Sequence, residues 1–186
     1  ILSIGQGKWR QKNNEFLTIR LDTVDRNENR VVAEAIKGFW ESLGIKVDLT
    51  TLPASQIQTE IIKSRNFDAL FYGQVIGGDP DPYAFWHSSQ TGIAGYNIAN
   101  FTNKEADQLL EDARLTTDVA KRQEYYKKFQ EIIAEEEPAI FMYSPVYTYI
   151  QSTKLKGFAV KDIFLPSDRL VNVQEWYVQT GKKLIW

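Results

Sequence analysis

The 186-residue chain carries 22 Lys and Arg against 24 Asp and Glu, a net charge of -2 that argues against binding nucleic acid through bulk electrostatics. It contains no Cys, which removes disulfides, zinc-thiolate sites and thiol nucleophiles and leaves the redox compartment undetermined. No apolar run approaches the roughly 20 residues that span a bilayer, and Ile1 to Gly5 lacks the charged-then-apolar layout of a signal peptide. Aromatic residues make up 13% of the chain, enough for a core and for a surface that also meets flat or apolar groups.

Residues 1–14 are polar, with Gly5, Gly7 and Asn13-Asn14 as turn formers. The alternation of Leu17, Ile19 and Leu21 with Phe16, Thr18 and Arg20 predicts a first strand over 15–22. Asp25 followed by Glu28 reads as a capping box ahead of a helix over 27–43, with Val31, Val32, Ala35, Ile36, Phe39, Trp40 and Leu43 on its apolar stripe. Gly44 stands where a left-handed cap belongs. Ile45, Val47 and Leu49 then alternate as a second strand, and so tight a helix-to-strand connection favours a βαβ unit with parallel strands.

Pro53 ends that strand, and Ile57, Ile61 and Ile62 define a short second helix. Residues 67–72 are apolar on both faces, as in a central parallel strand covered by helices on either side. A polar loop over 91–100 precedes a second capping box, Thr102 with Glu105, and a helix that buries Ala106, Leu109, Leu110 and Ala113. A longer helix follows over 119–136, burying Tyr125, Tyr126, Phe129, Ile132 and Ile133, and Pro138 stops it. Residues 139–150 are dense in β-branched and aromatic types with a bend at Pro145, and the tail reads as short extended pieces at 155–160, 170–173 and 176–177. With no internal repeat and no linker, residues 1–186 read as a single α/β domain.

In open α/β sheets ligands gather at the carboxyl ends of the strands, so the stretch from Phe67 to His87 is the natural place for a site. Its Gly73, Gly77 and Gly78 match neither a dinucleotide fingerprint nor a P-loop, but glycines let a ligand approach the backbone. Asp79-Pro80-Asp81-Pro82 offers two carboxylates; the structural reading is stronger, with Asp81 capping a helix that has Pro82 in its first position. His87 is the only histidine and reads as a helix-end or surface residue, and Glu135-Glu136-Glu137 as a solvated face. Tyr83, Phe85, Trp86 and Tyr96 suit a pocket or a core equally.

An ordered series of landmarks carries a resemblance. Ala35 to Leu49, then Asn66 to Gly73, then Gly78 to Pro82 is similar to the extracellular solute-binding proteins of family 5, the peptide-, oligopeptide- and nickel-binding receptors of bacterial ABC importers. Asn97, Phe101, Asn103, Asp107, Arg122 to Tyr126, Glu137 to Phe141 and Lys156 to Phe158 continue it in order. The resemblance implies a periplasmic-binding-protein type II-like lobe with an open, mostly parallel twisted sheet and helices on both faces. It implies most of the C-terminal lobe of a longer two-lobed receptor that is exported, lipid-anchored in some bacteria, and paired with a membrane permease.

On this reading the chain captures a peptide or other small solute in an interlobe cleft and is not an enzyme. The expected ligand-binding residues are Tyr72, Gly73, Gln74, Val75, Ile76, Gly77, Trp86, Tyr96 and Asn97, with no catalytic residue, metal ligand or cofactor. The family's dipeptide receptors hold the ligand's α-amine with an aspartate three residues before their Asp-Pro-Asp motif. Ile76 stands there instead, and a buried isoleucine leaves an ammonium unpaired. A carboxylate-dependent hydrolase and a protein-interaction module using exposed aromatics are the alternatives.

Overall fold

A computed structural model describes residues 3–4, 9–161 and 163–178, so the predicted turn formers Gly5 and Gly7 lie outside the described residues. Its central feature is a parallel three-stranded sheet in the order β5-β4-β6, with β4 at Thr18–Val24, β5 at Lys46–Leu52 and β6 at Ala69–Phe71. Leu21 lies opposite Leu49 on one side and Ala69 on the other. Parallel strands need crossovers, and these are α1 (Asn27–Ser42) and the pair formed by α2 (Ala54–Gln56) and a π-helical turn at Ile57–Ile62.

Period-2 alternation places the crossovers on opposite faces. Leu21, Val47, Leu49, Ala69 and Phe71 meet Ala33, Ile36 and Trp40 of α1, while Val24, Leu52 and Leu70 meet Ile57, Ile61 and Ile62. Ile57 is fully buried, an effect worth about 2 kcal/mol for a side chain of that size. The predicted α/β class, the parallel βαβ unit and the helices on both faces are present.

Four details differ from the sequence reading. First, β4 and not β6 is central: β6 is three half-buried residues paired on one edge, because apolar residues on both faces report cover above and below and say nothing of lateral neighbours. Second, α1 starts without a side-chain cap. Arg26 is the extended N-cap residue, the Asp25 N–H bonds Leu52 O at 2.7 Å, and the Asp25 carboxylate pairs with Arg30. Third, the buried stripe of α1 runs through Ala33, Ile36 and Trp40, leaving Val31, Phe39 and Leu43 exposed. Gly44 does take the left-handed conformation, φ 80°, and ends the helix as expected.

Fourth, extended structure differs at both ends: there is more of it than predicted at the N-terminal end and less at the C-terminal end. β1 (Ser3–Ile4), β2 (Arg10–Lys12) and β3 (Glu15–Phe16) form a small antiparallel sheet where residues 1–14 read as irregular. Residues 139–150 join no ladder, and Ile140, Val146 and Ile150 are more than three-quarters exposed. In the tail β7 (Leu155–Lys156) pairs with β8 (Tyr177–Val178), and residues 166–170 and 173–175 are 3-10 turns where 170–173 reads as extended.

A helical layer lies beside the sheet. α3 (Tyr83–Trp86), α4 (Lys104–Leu115) and α5 (Val119–Glu136) pack around Trp86, Phe101, Ala106, Leu110, Phe129 and Ile133. The cap of α4 is Asn103, whose Oδ1 accepts from Glu105 N at 2.9 Å and Ala106 N at 3.0 Å, so the capping role falls one residue after the predicted Thr102. α5 begins on Asp118, ends on Glu137 in a left-handed conformation, and matches its predicted span. Among the described residues no helix is long and apolar enough to cross a membrane.

Candidate functional site

The loop that leaves β6 at Phe71 carries Tyr72 to Pro82 over the carboxyl end of the sheet. Its two carboxylates are tied to helices. Asp79 Oδ1 accepts from Arg122 Nη2 at 2.6 Å, and Asp81 Oδ2 accepts from Arg114 Nε at 2.7 Å and Nη2 at 2.6 Å. Asp81 Oδ1 also accepts from Tyr83 N at 3.1 Å at the start of α3, and Pro82 occupies the cap position predicted for Asp81. Arg122 donates as well to Tyr126 Oη, at 3.2 Å from Nε, and these contacts, Tyr126 first and Asp79 after it, raise the Arg122 pKa above its ordinary value.

The arginine of the second pair continues into a stack. The Arg114 guanidinium lies 3.7 Å from the Tyr83 ring centre, and Tyr83 stacks on His87 with centroids 4.2 Å apart. His87 Nδ1 accepts from Ser89 N at 3.1 Å, which leaves Nε2 to donate to Glu111 Oε1 at 3.2 Å. His87 is therefore at a helix end as predicted, but it is buried, held between two helices by its own hydrogen bonds. Glu135 and Glu137 are exposed, and Glu136 accepts from the Asn103 side chain. Among the described residues no group of three His, Asp or Glu converges as a metal site.

The charged groups thus face the helices and leave an uncharged corner. A pocket of about 210 Å³ opens there, and Tyr72, Gly73, Gln74, Val75 and Tyr96 of the predicted set line it together. Gln58, Ile62, Phe85 and Ile98 complete the wall; Phe85 is among the aromatics that suit a pocket or a core, and the sequence does not point to the other three. Gln58 and Ile62 come from the π-helical turn, whose Lys63 N–H bonds Gln58 O at 3.2 Å. A π turn has no composition signature, although its rare geometry recurs at functional sites. Phe85 faces Tyr96 with ring centroids 6.2 Å apart.

Four predicted residues stand elsewhere. Ile76 is 46% exposed, not buried, and with Trp86 it lines a broader groove of about 1120 Å³ against Phe129, Ile133, Ile140 and Phe141. Trp86 is a core residue, packed edge-on against Phe101 at 6.1 Å. Gly77 lines neither recess, and a Cβ at Gly73 or Gly77 meets nothing within 4 Å, so close approach of neighbouring protein does not require glycine at either position.

Asn97 is fully buried, and its amide is spent inside the protein. Nδ2 donates to the carbonyls of Trp86, His87 and Phe101 at 3.1, 3.2 and 2.8 Å, and Oδ1 accepts from Phe101 N at 3.1 Å. It fixes the loop behind the pocket, with its donors spent on backbone carbonyls and the side chain fully buried away from a ligand. Arg65, itself left-handed at φ 56°, holds the same loop from the other side: its guanidinium donates to Gly92 O at 3.0 Å, Gly95 O at 2.9 Å and Asn97 O at 3.1 Å.

An uncharged recess at the carboxyl end of a parallel α/β sheet, with the flanking acids paired to arginines, is the kind of place where such folds bind ligands. No family model matches the chain. The oligopeptide-binding protein AppA of Bacillus subtilis is 28% identical over 172 residues, 90% of this chain and 30% of that protein. The di/tripeptide-binding protein 1 of Pseudomonas aeruginosa is 29% identical over 141 residues, 73% of this chain and 26% of that protein. The structure of AppA in complex with a nonapeptide superposes with a TM-score of 0.73 at 25% identity, over 93% of this chain and 34% of that one. NikZ from Campylobacter jejuni, solved in complex with Ni(L-His), shares the fold with a TM-score of 0.68 at 20% identity, over 90% of this chain and 34% of that one.

The chain is therefore homologous to the family 5 solute-binding proteins over part of their length, and these relatives are binding proteins, not enzymes. It spans about a third of the length of the relatives it matches.

Proposed function

We propose that the chain is most of the C-terminal lobe, as one domain over residues 1–186, of a substrate-binding protein that delivers a peptide or related small solute to an ABC importer. The observation that carries this reading is a coincidence of place. The recess formed by Tyr72 to Val75, Gln58 and Tyr96 lies at the carboxyl end of the parallel sheet, in a chain homologous to a protein solved with a nonapeptide. Capture follows from closure: a solute that touches two lobes only in the closed state shifts the population toward it. The partners are the other lobe of the same receptor and a membrane permease, and the place of work is outside the cytoplasmic membrane, with a lipid anchor where the cell has no outer membrane.

No carboxylate of the Asp79 to Pro82 turn is free for a hydrolytic role, since each is paired with an arginine. The test is mass spectrometry of solutes released from the full-length receptor purified without added ligand. A peptide or small solute in stoichiometric amount is the expected result. A receptor that emerges empty, and stays empty after exposure to a peptide digest, overturns the reading.

A further inference from the structure

We infer that the pocket of the π-helical turn takes a neutral residue from the interior of a peptide: its side chain enters the apolar floor and its amide meets Gln58 and Gln74. This rests on the solute-binding reading above and adds the chemical class of group that the site accepts. The volume of about 210 Å³ is below the roughly 300–1,000 Å³ of a pocket that encloses a whole small ligand, so it fits one residue of a longer solute.

The chemistry of the walls excludes charge. Ile62 is buried at the base, Phe85 and Ile98 are half-buried beside it, and none of the lining residues is ionisable at neutral pH. Glu60 and Lys63 neighbour Gln58 and Ile62 in sequence but do not line the pocket, and of the other charged groups Asp79 is paired with Arg122, Asp81 with Arg114, and the Arg65 fork donates to three carbonyls. A charged terminus or side chain placed here loses water and gains no counter-ion. A transition-metal ion finds no imidazole, thiolate or carboxylate.

The two glutamines supply what remains. Among the described residues neither the Gln58 nor the Gln74 side-chain amide makes a hydrogen bond to the protein, and Gln58 is half-buried. Each carries a donor pair and an acceptor, the complement of a peptide amide. Neither amide is buried without access to water, so an amide-bearing neutral group can replace that water bond for bond while its side chain fills the apolar floor.

The experiment is a titration of the ¹⁵N-labelled chain with N-acetyl methylamides of leucine, phenylalanine, lysine and aspartate, and separately with nickel chloride, followed by amide shifts. Leucine and phenylalanine probes are expected to move Gly73, Gln74, Val75, Tyr96 and Ile98, and to bind at least about tenfold more tightly than the lysine and aspartate probes, the scale of an unpaired charge in a partly dry site. Gln58→Leu is expected to weaken the leucine probe by about three- to tenfold, the loss of one hydrogen bond. Gln58→Glu, and Gln74→Glu on the exposed loop where folding is not at risk, are expected to turn the preference toward the lysine probe.

Equal binding of a charged probe, nickel shifts at the same amides, a preference unchanged by both glutamate variants, or no response to any probe each overturns the inference. Those results leave the solute-binding reading standing if the full-length receptor carries a solute; an empty receptor sinks that reading by itself.

Discussion

Asn97 and Phe101 bind each other twice: the Asn97 amide nitrogen donates to the Phe101 carbonyl at 2.8 Å, and its oxygen accepts from the Phe101 N–H at 3.1 Å. With Trp86 and His87 also held, this one fully buried side chain closes the loop between the sheet and the helical layer. Asn97→Ala is expected to cost about 3 kcal/mol, because several buried backbone groups lose their partners at once. A urea unfolding curve measures it. Unchanged stability with weakened solute binding would return Asn97 to the ligand-contacting role read from the sequence.

Arg65 holds the outer side of the same loop through three carbonyls. Arg65→Lys keeps the charge and removes the planar fork, and is expected to cost about 1–2 kcal/mol. The local signature is faster amide hydrogen exchange over 92–97, with exchange in α5 unchanged. Uniform acceleration across the chain would show that Arg65 supports the whole fold.

These two residues mark how far the sequence could be read. The parallel βαβ unit, the Gly44 cap and α5 follow from alternation, helical periodicity and single capping residues, all local signals. The loop at 72–75 followed from a rule about strand ends, and the structure does bring Tyr72 to Val75 and Tyr96 around one recess. Gln58 and Ile62 line that recess from the stretch where the helix after Pro53 widens into a π turn. The roles of Asn97 and Arg65 depend on backbone carbonyls up to 32 residues away in sequence, which no periodicity encodes. The misplaced stripe of α1 has a related cause, since an apolar face of Val31, Phe39 and Leu43 reads as buried whether or not the described residues supply its cover.

Gly95 packs so closely on the preceding turn that an added Cβ lies 1.9 Å from Gln90 O. The obstructing atom is backbone, and Gln90 O also accepts from Asn97 N at 3.1 Å, so neither side yields freely. Gly95→Ala is expected to lower stability by about 1–3 kcal/mol and to displace Tyr96 from the pocket wall. Thermal unfolding measures the first effect and loss of the Phe85–Tyr96 ring-current shift the second. A variant as stable as the parent would mean the 90–95 turn relaxes without cost.

The Asp81–Arg114 pair joins the loop after β6 to α4, with Arg114 partly exposed. A double-mutant cycle of Asp81→Asn and Arg114→Met is expected to give a coupling of about 0.5–1 kcal/mol, the range for solvent-accessible bidentate pairs. Near-zero coupling together with loss of solute capture in Asp81→Asn would reassign Asp81 from a positioning residue to one that meets ligand.

Tyr143 ties the ladder-free segment to α1: its hydroxyl donates to Glu28 Oε1 at 3.1 Å. Burial first, and the neighbouring Glu28 carboxylate after it, push its phenol above the usual value of 10.0. Because the folded pKa is raised, the contribution of the pair is fully present below the unfolded pKa and is lost as pH rises through the folded one. Stability of the parent relative to Tyr143→Phe is therefore expected to be constant through neutral pH and to fall only in alkaline solution. Unfolding curves across that range, with phenolate absorbance followed in parallel, test this, and a difference that instead grows with pH contradicts the hydrogen bond.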